Sequence, residues 1–230
     1  MRLRGAVQGS GVRPQIYRLA TGRGLSGQVR NAGGAVEWEL EGKPGALRAM
    51  LLQVELREAG LGFDYRLEYS WEQPLGYRGF VIAASQDSSD AAAVVPLDRA
   101  CCAECLAELF DPANRRYRYP FIACSSCGPR YSIIESLPYD RERTSMRSFP
   151  MCDDCREEFE RPADRRFHAQ IIACPHCGPQ LELWDESGGV LCQRERALDQ
   201  AVAALRRGKI VAVKGLGGFH LLADENRPVP

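Results

Sequence analysis

Eight of the ten cysteines in this 230-residue chain fall into four C-x-x-C pairs that recur at a fixed period. The pairs CAEC, CSSC, CDDC and CPHC begin at positions 102, 124, 152 and 174, so each member of the first couple returns fifty residues later. Eighteen residues separate Cys105 from Cys124, and the same number separates Cys155 from Cys174. The likeness extends beyond cysteine, because DPANRRYRYPFIACSSCGPRY aligns with RPADRRFHAQIIACPHCGPQL, and an internal duplication is the simplest account. A C-x-x-C turn points two thiolates at one ion about 2.3 Å away, and two such knuckles complete a tetrahedral shell with no open position. The pattern therefore predicts two structural zinc sites, Cys102, Cys105, Cys124 and Cys127 in one and Cys152, Cys155, Cys174 and Cys177 in the other. Consecutive pairing within each repeat is the expectation, with interleaving across repeats as the alternative. Metal binding worth on the order of 10–16 kcal/mol then replaces the hydrophobic core that so short a unit cannot build. Gly128 and Gly178 follow the second knuckles, where a tight backbone suits glycine.

The redox setting supports metal over disulfides. MRLRGAVQGSG at the N-terminus lacks the apolar stretch of a secretory signal, so a cytosolic address is expected, where paired thiols read as metal ligands. No run of about 18 apolar residues occurs, and no membrane-spanning helix is expected. Lysine and arginine number 30, as do aspartate and glutamate, a balance that argues against duplex DNA binding and makes a nucleic-acid partner unlikely. Cys101 and Cys192 are left over; Cys101 could replace Cys102 only by breaking the period, and Cys192 reads as a half-buried strand thiol. His168 and His176 lie near the knuckles and read as surface histidines rather than ligands. Arg115, Arg116, Arg118, Arg165 and Arg166 form a basic patch, read as a solvated face that balances the anionic sites, with an acidic partner or nucleotide as the sharper alternative.

Ahead of the repeats, residues 2–7 read as a strand and QGSGVRP as a glycine-rich turn that opens a helix running to about Ala20. GLSGQVRN and AVEWELEG alternate as two strands about a glycine turn; Pro44 opens a second helix through Leu56; DYRLEYSW and YRGFVIAA give two more strands. The order is the β-α-β-β-α-β of ferredoxin-like domains. Gly9, Ser10 and Gly11 free successive N–H groups to face one anion at a helix N-terminus, and Arg13 offers a fork suited to phosphate oxygens. VQGSGVR, followed by the G-x-V-x-N run Gly27 to Asn31, resembles the acylphosphatase signature. That resemblance implies that residues 9–13, namely Gly9, Ser10, Gly11, Val12 and Arg13, bind the phosphate, and that Arg13 and Asn31 are the catalytic pair, with Asn31 orienting the attacking water. Ser10 stands where valine is usual and Val12 where phenylalanine is usual; both flank the cradle.

Past the repeats, Leu198, Ala201, Val202 and Leu205 share a helical face, Gly208 is a stop, and KIVAV is a short apolar strand. Gly215, Gly217 and Gly218 suggest a nucleotide-binding turn but match no dinucleotide or Walker fingerprint. One helix and one or two strands do not close a core, so the chain is expected to stop inside a domain.

The order of an acylphosphatase-like unit, the doubled C-x2-C-x18-C-x2-C array and KGLGGFHL closely resembles the HypF carbamoyltransferase family of nickel–iron hydrogenase maturation. The resemblance implies an α+β chain: an acylphosphatase-like domain at 1–84, a linker at 85–100, a duplicated zinc-finger region at 101–182 holding two zinc ions, and an incomplete YrdC-like α/β segment at 195–230. It also implies hydrolysis of carbamoyl phosphate in the first domain. In the intact family protein the carbamate is then adenylated with ATP and passed to the C-terminal cysteine of the partner HypE, a step not expected of this chain. The alternative is a non-catalytic zinc scaffold that docks a partner protein; RNA binding is disfavoured by zero net charge and the lack of a stacking motif.

Overall fold

Strand alternation between residues 26 and 41 fixes the register on which the first domain is built. The computed structural model describes residues 1–5, 7–56, 65–86, 94 and 97–225. Residue 6 of the expected first strand, the start of DYRLEYSW, most of the 85–100 linker and residues 226–230 lie outside the described residues. Strand β1 (Arg2–Gly5) leads through the glycine turn to helix α1 (Val12–Thr21), which feeds the hairpin of β2 (Ser26–Ala32) and β3 (Ala35–Glu41). Helix α2 (Pro44–Glu55), β4 (Tyr65–Glu68) and β5 (Phe80–Ile82) follow. In the hairpin Val29 faces Trp38 and Asn31 faces Val36 across the strands. Leu3, Val29, Val36 and Trp38 are buried with Ile16 of α1 and Met50 of α2 in one core. Each such side chain contributes about 1.5–3 kcal/mol by leaving water.

The expected β-α-β-β-α-β order is present, and β5 extends it by pairing parallel to β2, giving the sheet order β4-β1-β3-β2-β5. The first strand ends earlier than the sequence reading placed it. Gly5 takes φ +134° and its carbonyl accepts from Val7 N–H rather than from a neighbouring strand.

Each repeat opens on a short helix behind its first knuckle, α3 (Ala103–Phe110) in the first and α4 (Asp153–Glu160) in the second. The chain divides into two compact units, residues 1–102 with 123–172, and residues 103–122 with 173–230. The first holds the five-stranded sheet, α4 and three short 3-10 turns between Tyr131 and Ser148. The second holds α3, the pair β6 (Glu182–Trp184) and β7 (Val190–Gln193), helix α5 (Arg194–Arg206), and the hairpin of β8 (Val211–Lys214) and β9 (Phe219–Leu222). Ala197 is the only buried residue of α5, and Phe219, Leu221 and Leu222 are exposed. Gly215 to Gly218 form the β8–β9 turn, closed by Gly215 N–H to Gly218 O at 2.7 Å, so the three glycines serve a hairpin there. No helix among the described residues is long and apolar enough to cross a membrane.

Gly24 and Gly27 both take positive φ, +63° and +138°, but an added Cβ meets open space at Gly24 and the Glu39 carbonyl oxygen at Gly27. Gly24→Ala is expected to cost about 1–2 kcal/mol from left-handed backbone alone. Gly27→Ala adds a collision with the paired strand and is expected to cost about 3 kcal/mol or more. Urea unfolding at fixed zinc concentration ranks the two variants.

Candidate active site and metal centres

Cys102, Cys105, Cys124 and Cys127 form one cluster and Cys152, Cys155, Cys174 and Cys177 another, with all sulfurs in each within 4.8 Å of one another. Thiolates held about 2.3 Å from a tetrahedral ion stand about 3.8 Å apart. Cys102 and Cys124 are 3.8 Å apart, and Cys124–Cys127 and Cys174–Cys177 are both 3.7 Å apart. Both clusters therefore fit a structural zinc ion, and the pairing is consecutive within each repeat. Cys101 is exposed and stays outside the first cluster, and Cys192 is buried in β7. The glycines behind the knuckles serve different ends. Gly128 combines φ +93° with the approach of Ile171 and Ala123, whereas at Gly178 a Cβ would collide with the Tyr119 hydroxyl.

The arginine patch is a solvated face only in part, for Arg115 is exposed whereas two of its members point inward. Arg116 and Arg166 are 1% and 4% exposed. Arg116 Nε donates to Ala173 O at 2.8 Å, and Arg166 Nε donates to Ala123 O at 3.1 Å. These residues stand fifty apart in both pairs, so each repeat satisfies its buried guanidinium on the carbonyl before the other repeat's second knuckle. Arg165 Nη1 lies 3.7 Å from the Cys102 sulfur, which places a cation beside the anionic thiolates. Arg118 pairs with Glu195 and Asp199 of α5.

The proposed phosphate cradle lies within the first unit. Gly9 and Gly11 take φ +70° and +78°, and Gly11 caps α1, whose first-turn N–H groups have no intrahelical acceptor. Ser10 and Val12 sit on the same turn, Val12 with its side chain buried. Arg13 is 8% exposed and Asn31, from β2, 1%. The two converge on one oxygen, because Arg13 Nη2 donates to Tyr139 O at 3.1 Å and Asn31 Nδ2 donates to it at 3.2 Å. Arg13 Nη1 also donates to Asp140 Oδ1 at 2.8 Å. Asn31 Oδ1 is buried and has no hydrogen-bond partner among the described residues. Gln8 bridges the wall, accepting from Tyr139 N–H at 2.8 Å and donating to Gly33 O and Ala35 O.

Arg130 ties the first metal knuckle to this cradle. Its Nη1 donates to Cys127 O at 3.1 Å, its Nη2 to Ser125 O at 3.0 Å and its Nε to Gly9 O. At the matching position of the second repeat, Gln180 Nε2 donates to Pro175 O at 2.7 Å. The longer fork of arginine serves the same knuckle carbonyl and has reach left for the glycine loop. His168, read from sequence as a surface histidine, instead lines the cradle, whereas His176 is exposed. Burial, and then the Arg13 charge, push the His168 imidazole down to about 4, with Asp140 opposing. Arg130, Tyr139, Asp140 and His168 were all invisible to motif reading. The one signal available was that PYDRERTSMRSFP joins the repeats without belonging to either, and that GPR in the first repeat becomes GPQ in the second.

Comparison with known proteins adds two family models: acylphosphatase over residues 1–82, and the HypF finger over 101–134 and again over 151–184. Carbamoyltransferase HypF2 of Cupriavidus necator is 53% identical over 97% of this chain and 28% of its own length. Carbamoyltransferase HypF of a Synechocystis species is 51% identical over 97% of the chain and 29% of its own length. An acylphosphatase of Thermococcus kodakarensis, 36% identical, matches 36% of the chain and 90% of itself. Among solved structures, full-length HypF in a phosphate- and nucleotide-bound form superposes with TM-score 0.81 at 38% identity, covering 96% of this chain and 29% of that one. T. kodakarensis HypF gives TM-score 0.83 at 42% identity, covering 97% and 28%. The chain thus spans less than a third of the length of these carbamoyltransferase relatives.

The purified chain is expected to carry two zinc ions, and Cys105→Ser and Cys155→Ser to lose one each by elemental analysis; loss of both from either change contradicts consecutive pairing. For His168, the unfolded chain takes up a proton below about pH 6.5 that the folded chain refuses until about pH 4. Stability from this group is therefore present above pH 6.5 and lost as pH falls toward 4. His168→Gln is expected to remove that loss, so urea midpoints of variant and wild type shift in the variant's favour from pH 7 to pH 5.

Proposed function

The chain belongs to the HypF carbamoyltransferase family, and on that premise we propose that its first domain hydrolyses an acyl phosphate, carbamoyl phosphate, at Arg13 and Asn31. The convergence of these two donors on a single oxygen position, at 3.1 and 3.2 Å, carries the reading. The convergence brings a fixed charge and a fixed amide to one place on the cradle. Arg13 and the N–H groups of residues 9–13 stabilise the charge on the phosphoryl oxygens. Asn31 Oδ1, buried without a partner among the described residues, accepts a hydrogen bond from the attacking water, which meets the need of a buried acceptor. The water oxygen bonds to phosphorus as the bond from phosphorus to the acyl oxygen breaks. That electron pair leaves on carbamate, and the proton of the water goes to the products. Positioning and preorganised charge supply the rate, with no covalent intermediate.

The rest of the reading concerns the longer family protein. The carbamate is adenylated with ATP and transferred to a HypE-type partner in the cytoplasm, and the zinc array at 101–182 separates the hydrolase domain at 1–84 from a YrdC-like segment starting near residue 195. The matched spans 1–82, 101–134 and 151–184 support these limits for the first two. One observation favours a non-catalytic scaffold instead: Arg13 and Asn31 are already satisfied by Tyr139 and Asp140 of the chain itself.

Release of inorganic phosphate from carbamoyl phosphate separates the two readings. Arg13→Ala is expected to lower turnover roughly 100-fold or more and to abolish binding. Asn31→Ala is expected to lower kcat with KM nearly unchanged, because the water is then unplaced. Wild-type rates in the Asn31→Ala protein remove that residue from the mechanism, and no phosphate release from the parent chain leaves the scaffold standing.

A further inference from the structure

The wall that closes the cradle is drawn from the segment between the two repeats, and its chemistry mimics what the cradle is proposed to bind. Asp140 sets a carboxylate oxygen 2.8 Å from Arg13 Nη1, and the neighbouring Tyr139 carbonyl fills the acceptor position shared by Arg13 and Asn31. The cavity left is about 20 Å³, which holds about one water molecule and no phosphoryl group. A bound anion therefore needs one partner of the Arg13–Asp140 pair to give way. Arg13 cannot, since its side chain is 9% exposed, whereas that of Asp140 is 27% exposed and has solvent to swing into. The backbone on either side of Asp140 is fixed. Gln8 accepts from Tyr139 N–H at 2.8 Å, and Arg141 N–H donates to Gln170 Oε1 at 2.9 Å. The movable piece is thus the carboxylate.

A buried guanidinium left without an anion is costly, so the acid is a placeholder as well as a competitor. We propose that Asp140 is a specificity-determining residue of the cradle: its carboxylate occupies Arg13 until a ligand with a doubly charged phosphoryl head displaces it. This deepens the acyl phosphate reading and rests on it. A phosphoryl dianion brings more charge and one more acceptor oxygen than a carboxylate. Singly charged carboxylates, the carbamate product among them, bring no advantage over Asp140 and are refused. The same competition returns Asp140 to Arg13 once inorganic phosphate has left.

The test is calorimetric titration of the zinc-loaded 230-residue chain with inorganic phosphate, and separately with acetate, at pH 8. Asp140→Asn and Asp140→Ala are expected to bind phosphate about tenfold or more tightly than wild type, the scale of one lost charge-assisted contact, and to gain measurable acetate binding. Asp140→Glu keeps the competing charge and is expected to behave as wild type; a merely structural role for Asp140 would disturb it along with the others. Equal or weaker phosphate binding in both neutral variants, with zinc content and circular dichroism unchanged, overturns the proposal while leaving the cradle intact. No phosphate binding by wild type or by any variant overturns the cradle reading, and this proposal with it.

Discussion

A guanidinium cannot be left unpaired inside a protein, and four of them are buried among the described residues. Arg13, Arg116, Arg130 and Arg166 are all under 9% exposed. Removing such an ion from water costs several kcal/mol unless oxygen acceptors surround it. Each of the four has at least one acceptor far away in sequence, and in using it pins two segments together. Arg116 and Arg166 join one repeat to the other, Arg130 joins a metal knuckle to the glycine loop, and Arg13 joins that loop to the segment between the repeats. In the finger region these contacts act beside the thiolate clusters and buried apolar side chains such as Ile122, Phe167, Ile171 and Ile172.

Duplication explains why this arrangement is affordable. Once one repeat presents a knuckle carbonyl and a buried arginine, its copy presents the complementary pair, and the two contacts form reciprocally. The left-handed residues Arg118 and His168, at φ +56° and +52°, recur at the same place in each copy. Their N–H groups donate to Leu109 O and Phe159 O, again matched positions. Function enters where the copies stop matching. Arg118 pairs with acids of α5, whereas His168 lines the cradle. Arg130 reaches Gly9, whereas Gln180 stays on its own knuckle.

Much of the first domain was legible because its signals are local. Alternation over residues 26–41 sets strands and register within one hairpin, and a glycine turn before Pro14 announces the helix that carries Arg13. The parallel strand β5 was legible as a strand but its place beside β2 was not, since nothing in FVI specifies a partner. The basic patch misled for a related reason. Composition records that arginines cluster, and only packing records that Arg116 and Arg166 point inward.

The sequence by itself determined the two four-cysteine clusters, because a C-x-x-C turn and a fifty-residue period are geometry written into spacing. Its resemblance to the acylphosphatase signature also pointed to the candidate pair Arg13 and Asn31, through a glycine loop and a strand motif that lie close in the chain. Tertiary structure alone decided what surrounds that pair. The partners of Arg13 at Tyr139 and Asp140 are 126 and 127 residues away in the chain, and the acceptor of Asn31 is 108 away. At such separations no periodicity or propensity couples the positions; the contact exists only because a buried cation has to find oxygen wherever folding brings it.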